Sequence, residues 1–307
     1  MFMMSKRLLH KTIYVVDFNS IDNHCKWLSD NRVTKHDFRI NPAKILELDF
    51  SRSRFLKPYH IAPLACLIHE YKVKGFAVKL SRIPASIETY LKSFNFDQFC
   101  KSLDTKTFEL PADKKTFSLW HIEESRKESY SLEVQKYFEN NLFTGQNLFV
   151  LGNSLSELMN NVFDHSRSKI TGYTFTQLNT RSNTIVTCVC DFGIGIPMAV
   201  NSFLKSSGQK TIPDDQALRK ALEFNFSTLT KPHNRGFGWD TIISNLQSLG
   251  GKLLIVSNNA LYLMRQDGII RTQLNRSNFH GTLVVITLDT RNFTEKEMEI
   301  DEEMILL

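Results

Sequence analysis

The chain lacks most of what would place it in a membrane or an oxidising compartment. Its five cysteines, at 25, 66, 100, 188 and 190, are odd in number and show no CxxC spacing. That argues against a disulfide framework or a zinc site and for reduced thiols in a core. No apolar run approaches the roughly 18–20 residues that span a bilayer. The apolar part of the opening "MFMMSKRLLHK" is also short for a signal peptide. A cytoplasmic protein with no membrane partner is therefore expected. Grouped positive charge is missing too. The net charge is +6, but Lys and Arg are scattered without interleaved aromatics, and "EKEMEIDEEM" makes the C-terminus acidic. This argues against a nucleic-acid partner. Internal repeats and low-complexity tracts are absent. Glycine is nearly missing from the first half, where Gly75 alone of the 13 glycines precedes Gly145. Glycine gathers where backbone turns sharply or approaches a ligand closely, so the chemistry is expected after residue 145.

What is present is ordinary globular composition, 42% hydrophobic and 23% charged over 307 residues, a length that suggests two domains. The first half alternates strand and helix patterns. "KTIYVVDF" (11–18), "KILELDF" (44–50) and "FAVKL" (76–80) read as strands. Between and after them, "IDNHCKWLSDN" (21–31), "PYHIAPLACLIHEYKVKG" (58–75) and "PASIETYLKSFNFDQF" (84–99) read as helices. This βαβα order implies an α/β layer with parallel strand pairs. Over roughly 40–103 the order of elements resembles the STAS domain of bacterial anti-sigma-factor antagonists. Those proteins place a phosphorylatable serine at the start of the first of these helices. Here "LKPYHIAPL" offers Lys57, Pro58, Tyr59 and His60, which argues against a phospho-switch within this chain. Residues 104–145 are expected as a connecting arm leading into the next domain, with Trp120 as a candidate for packing between domains.

The second half carries the polar motifs. Along the helix that begins near Asn147 and carries "SELMNNVFDHS" (156–166), Leu148, Leu151, Leu155, Leu158 and Val162 form an apolar stripe at helical spacing. Glu157 and Asn161 stand one helical turn apart in a row beside that stripe, which Asp164 continues. After strands "GYTFTQLN" (172–179) and "TIVTCVCD" (184–191) comes "DFGIGIP", an acid at a strand end followed by Gly193 and Gly195. Period-two alternation puts Cys188 and Cys190 on one face of the second strand. About forty residues of helix-like sequence, such as a lid would need, lead to "RGFGWDTI". There Gly236 and Gly238 precede a helix, and N–H groups at such a terminus suit phosphate. "KLLIVSN", "ALYLMRQ" and "GTLVVITL" then read as three antiparallel strands.

Taken in order, the Asn-containing helix, the two glycine boxes and the final Gly-Thr strand resemble the GHKL superfamily. Its members include gyrase B, the heat-shock chaperone N-domain, histidine kinases, MutL and anti-sigma-factor kinases. The resemblance covers 145–289 and implies a Bergerat α/β sandwich with a mixed, largely antiparallel sheet. It divides the chain into a STAS-like domain (1–103), the arm (104–145), an ATP-binding domain (146–289) and an acidic tail (290–307). It also implies ATP and Mg²⁺ as cofactors. By that resemblance Asn161 ligates the metal and Glu157 acts as general base. Asp191 accepts from the adenine amino group, supported by Thr282. Gly193 and Gly195 admit the base, while Gly236 and Gly238 cradle the phosphates. His165, Lys231 and Arg235 are candidates for phosphate contact. Trp239 departs from the leucine that many relatives carry after the second glycine box.

"FAVK" and "DFG" also mimic motifs of eukaryotic-type protein kinases. That reading fails, because no glycine loop precedes Lys79 and no HRD occurs anywhere. A sensor histidine kinase is disfavoured as well, since His121 does not stand on a long dimerisation helix pair. The expected function is an ATPase acting as a nucleotide-dependent regulatory switch, with the STAS-like half binding a protein partner and a homodimer as the assembly. The alternatives are a serine/threonine protein kinase of anti-sigma type and a non-hydrolysing ATP-binding adaptor.

Overall fold

The first three strands are β1 (Leu9–Val16), β2 (Lys44–Arg52) and β3 (Phe76–Ser81), joined by α1 (Ile21–Asn31) and α2 (Pro58–Val73). The computed structural model describes residues 9–34, 43–103, 114–123, 127–223, 238–274 and 278–296. The strands pair in parallel in the order β1-β2-β3, as alternation of strand and helix requires.

Helix α2 explains how this small sheet is held. Its sequence is apolar on nearly every side, and Ile61, Ala62, Ala65, Cys66, Leu67 and Ile68 are all fully buried. A helix apolar all round must be covered all round. Here α2 lies between the small sheet and strands of the large sheet described below. Pro63 sits inside it and cannot donate to the carbonyl of Tyr59 four residues back. His24 of α1 fills that gap, with Nε2 donating to the Tyr59 carbonyl at 2.9 Å.

The helical pattern over 84–99 divides into α3 (Ala85–Lys92) and α4 (Phe96–Ser102). Asn95 breaks it with a left-handed backbone, φ 54°, a conformation Asn tolerates better than most residues. The expected connecting arm is an integral part of the second half. It contributes β4 (Thr116–His121), the edge strand of the large sheet, and α5 (Lys127–Asn141), which packs on the next long helix. Trp120 is buried there against Phe117 and Tyr130 instead of bridging two domains.

A short β5 (Gln146–Asn147) precedes α6 (Phe149–His165), β6 (Gly172–Asn179), β7 (Thr184–Asp191), α7 (Ile196–Ser206), α8 (Asp214–Ala221) and α9 (Gly238–Ser248). The chain then forms β8 (Lys252–Asn258), β9 (Ala260–Arg265), β10 (Gly268–Gln273), β11 (Phe279–Asp289) and β12 (Thr294–Glu295). Strand β10, "GIIRTQ", escaped the sequence reading because two adjacent exposed isoleucines break the expected alternation. The large sheet has seven strands in the order β10-β9-β8-β11-β7-β6-β4, antiparallel at every pairing. The fold is therefore mixed α/β with a largely antiparallel sheet.

Both faces of this sheet are covered. On one, Cys188 and Cys190 of β7 meet α2, and one apolar cluster runs without a break from Leu46 and Leu48 to Leu283 and Val285. On the other, Ile185 and Val189 of β7 meet α6 and α9. The α6 stripe Leu148, Leu151, Leu155, Leu158 and Val162 is wholly buried in that second cluster. Each such side chain contributes roughly 1.5–3 kcal/mol by leaving water. Among the described residues, no helix is long and apolar enough to cross a membrane.

Candidate functional site

Burial of the stripe fixes the rotation of α6 and leaves Glu157 and Asn161 half-buried at its border. Both meet the first residue of α9. A Cβ on Gly238 would stand 2.9 Å from Glu157 Oε2 and 3.8 Å from both side-chain heteroatoms of Asn161. Glycine at 238 therefore keeps open a cradle lined by a carboxylate and a carboxamide. Asn161 Nδ2 is buried and has no hydrogen-bond partner among the described residues. Burial raises the Glu157 carboxyl above its ordinary range.

A second polar group forms at the strand ends. Asp191, the last residue of β7, faces the same side of the sheet as Val189 and is 1% exposed. Its Oδ1 accepts the Gly193 N–H at 2.7 Å, so the acid organises the loop that follows it. Burial pushes its carboxyl up to about 7, against the pull of the Gly193 N–H, the Arg32 guanidinium and the Thr282 hydroxyl. Thr282 of β11 lies directly opposite Asp191 in the antiparallel register, and Ser257 of β8 lies opposite Thr282. Ser257 Oγ donates to the Gly281 carbonyl at 2.8 Å, sits 3.2 Å from Thr282 Oγ1 and accepts the Ile196 N–H. A buried polar row thus crosses three neighbouring strands.

The two groups share one face. Beside Gly172, opposite Asp191 on β6, the place of a Cβ is 3.2 Å from a Val162 methyl and 3.3 Å from the Asp191 Cβ. Val162 adjoins Asn161 in α6. The Ser166 carbonyl at the end of α6 also accepts the Ile194 N–H at 2.8 Å, tying the helix to the glycine loop. Gly193 is obligatory there, because a Cβ would collide with that Ser166 carbonyl and approach Asp191 Oδ1 to 2.7 Å. At Gly195, φ 81°, a Cβ would collide with the Asn258 side chain and approach Ser257 Oγ to 2.9 Å.

Glu157, Asn161 and Gly238 thus lie together in one cluster, and Asp191, Gly193, Gly195 and Thr282 in another on the same face of the sheet. Gly236, Lys231, Arg235 and the side chain of His165 lie outside the described residues. Sequence reasoning missed Ser257, Asn258 and Arg32. A polar pair ending the apolar "KLLIVSN" is a readable signal for the first two, and nothing local distinguishes Arg32. Asn258 Nδ2 donates to the Ile194 carbonyl at 3.1 Å, while its Oδ1 is buried without a partner among the described residues.

Neither a family model nor a curated protein sequence matches the chain. Among solved structures, it is similar to the 43K ATPase domain of Thermus thermophilus gyrase B, crystallised with an aminocoumarin. The TM-score is 0.24 at 14% identity, over 57% of this chain and 45% of that one. The alignment thus spans under half of that chain, and a likeness so slight says nothing of activity.

Proposed function

We propose that the second half binds Mg-ATP between the α6–α9 cradle and the Asp191–Thr282 strand ends. The observation that carries this reading is the coexistence, on one face, of a buried strand-end carboxylate beside a glycine loop and an unpartnered carboxamide beside a helix N-terminus. The carboxylate suits an exocyclic amine, which offers N–H donors to an acceptor. The donor set also fits magnesium. Among the described residues no three His, Cys, Asp or Glu side chains gather to hold a metal. Magnesium characteristically takes few protein ligands and completes its shell with phosphate and water. Asn161 Oδ1 would hold it, and the ion when bound supplies charge neutralisation to the phosphates.

In this reading Glu157 orients the attacking water and takes its proton, and the raised carboxyl pKa brings it nearer to working pH. Gly238 keeps room for the phosphates, with the α9 N–H groups aimed at them. We propose hydrolysis as the outcome and the first half, resembling STAS domains, as a regulatory surface for a protein partner, in a dimeric, cytoplasmic switch. Serine or threonine kinase activity and non-hydrolytic binding are the rivals. Incubation with γ-labelled ATP separates the three: free phosphate supports hydrolysis, a labelled protein supports kinase activity, and unchanged nucleotide with measurable affinity supports an adaptor. No calorimetric binding of Mg-ATP to the folded protein would remove the reading altogether.

A further inference from the structure

Arg32 stands at the C-terminal end of α1, in the first half, yet its guanidinium serves the second. Its Nε and Nη2 donate to the two carboxylate oxygens of Glu70 on α2, at 2.8 and 2.7 Å. Its Nη1 donates to the His280 carbonyl at 3.0 Å, on the strand that carries Thr282 two residues later. Its plane lies over the Phe192 ring, 3.7 Å from the centroid, one residue after Asp191. Ser29 Oγ adds a bond from α1 to the Asn278 carbonyl at 3.0 Å. The planar fork is therefore spread over α2, the start of β11 and the loop after β7, the last two of which carry or adjoin the residues proposed to receive the base. Arginine is suited to this task, since lysine offers no fork and no flat face for stacking.

We infer that Arg32 is a positioning residue for the nucleotide base, clamping the Phe192 loop to the start of β11 so that Asp191 and Thr282 stay in register. This rests on the nucleotide reading and extends it, because it makes affinity depend on the docking of α1. Glu70 is the anchor: it fixes the guanidinium and also accepts the Val33 N–H at 3.2 Å. The clamp acts on Asp191 in a second way, as a nearby positive charge. Arg32 of α1 and the Cys190 thiol beside Asp191 on β7 interact electrostatically with that carboxylate, while Glu70 of α2 pairs with Arg32 and His280 at the start of β11 contributes its backbone carbonyl to the same guanidinium. Its ionised form is the acceptor, so base binding weakens as pH falls through the Asp191 pKa, and the guanidinium holds that midpoint down.

The test titrates Mg-ATP calorimetrically into wild type, Arg32→Ala and Arg32→Lys over a pH range spanning neutrality. Ionisation of the nucleotide's own phosphates is common to all three and cancels. Arg32→Ala is expected to weaken binding about tenfold and to move the pH midpoint upward. Arg32→Lys keeps the charge but loses the fork, so it should weaken binding with little movement of the midpoint. Should Arg32→Ala fail to fold, the lysine variant decides by affinity alone. Wild-type affinity and midpoint in the variants would overturn the inference while leaving nucleotide binding intact. Weaker binding in Arg32→Ala at an unmoved midpoint would overturn it too, reducing Arg32 to a packing role. Absence of binding in wild type would instead strike the nucleotide reading.

Discussion

The two faces of the seven-stranded sheet are built from the same strands and do different things. The α2 face is dry: Cys66, Cys188 and Cys190 are fully buried, and burial raises the Cys188 and Cys190 thiols well above their ordinary range, leaving them inert. There Cys66 Sγ donates to the Cys190 carbonyl at 3.2 Å. The α6–α9 face is equally apolar at its centre but ends in Glu157, Asn161, Asp191 and Thr282, with the Asn161 carboxamide nitrogen lacking a partner among the described residues. Buried thiols close a core, whereas the buried acid at the strand end beside glycine is where the proposed nucleotide base would sit. What separates the faces is the residue type standing where the strands stop.

If that contrast is right, damage to the polar border should cost function and leave the fold intact. The largest effect is expected from Glu157→Gln, which should reduce phosphate release by at least about a hundredfold while Mg-ATP still binds. Matching calorimetry and phosphate-release assays would check both halves. Next comes Asp191→Ala, which removes the acceptor for the base. A lost bond to a charged group corresponds to a loss of about ten- to a hundredfold in affinity. Equal turnover in both variants would break the comparison at its centre. A smaller loss, about tenfold, is expected for Asn161→Ala, and it should be greater with magnesium than without, as titration in each condition would reveal.

The smallest effect separates the faces by pH. On the dry side, burial holds His24 near 3 and His60 near 4, below the ordinary 6.5. Their neutral forms favour the fold fully above pH 6.5, and that contribution is lost as pH falls toward 4. On the site side, Asp191 is raised from 3.8 to about 7. Its ionisation therefore costs stability as pH rises from about 4 to about 7. Denaturation midpoints measured across this range should show Asp191→Asn gaining over wild type toward neutral pH. His60→Gln should lose part of the acid sensitivity. Parallel pH profiles in wild type and both variants would deny the distinction.

Much of this was legible in the residues. The α6 stripe, the exact extent of α1, β6 and β7, and the parallel pairing in the first half all follow from spacing, because burial on one side imposes a period. The polar row beside the α6 stripe was legible for the same reason. Other features depended on long-range placement. The arm at 104–145 shows strand and helix composition, but nothing in it says that β4 would extend a sheet begun fifty residues later. Hairpin β9–β10 was half missed because an edge strand need not alternate.

The sequence by itself determined the elements that carry Glu157, Asn161, Asp191 and Thr282, since helix and strand periods are local properties. Only the tertiary structure decided that Asn161 Nδ2 is buried without a partner among the described residues, that Ser257, Thr282 and Asp191 fall in one row, and that Arg32 reaches across 160 residues of chain to stack on Phe192. Those facts depend on strand order and on α2 being buried between two sheets. No local pattern encodes such contacts, because their free energy appears only when distant segments exclude water together.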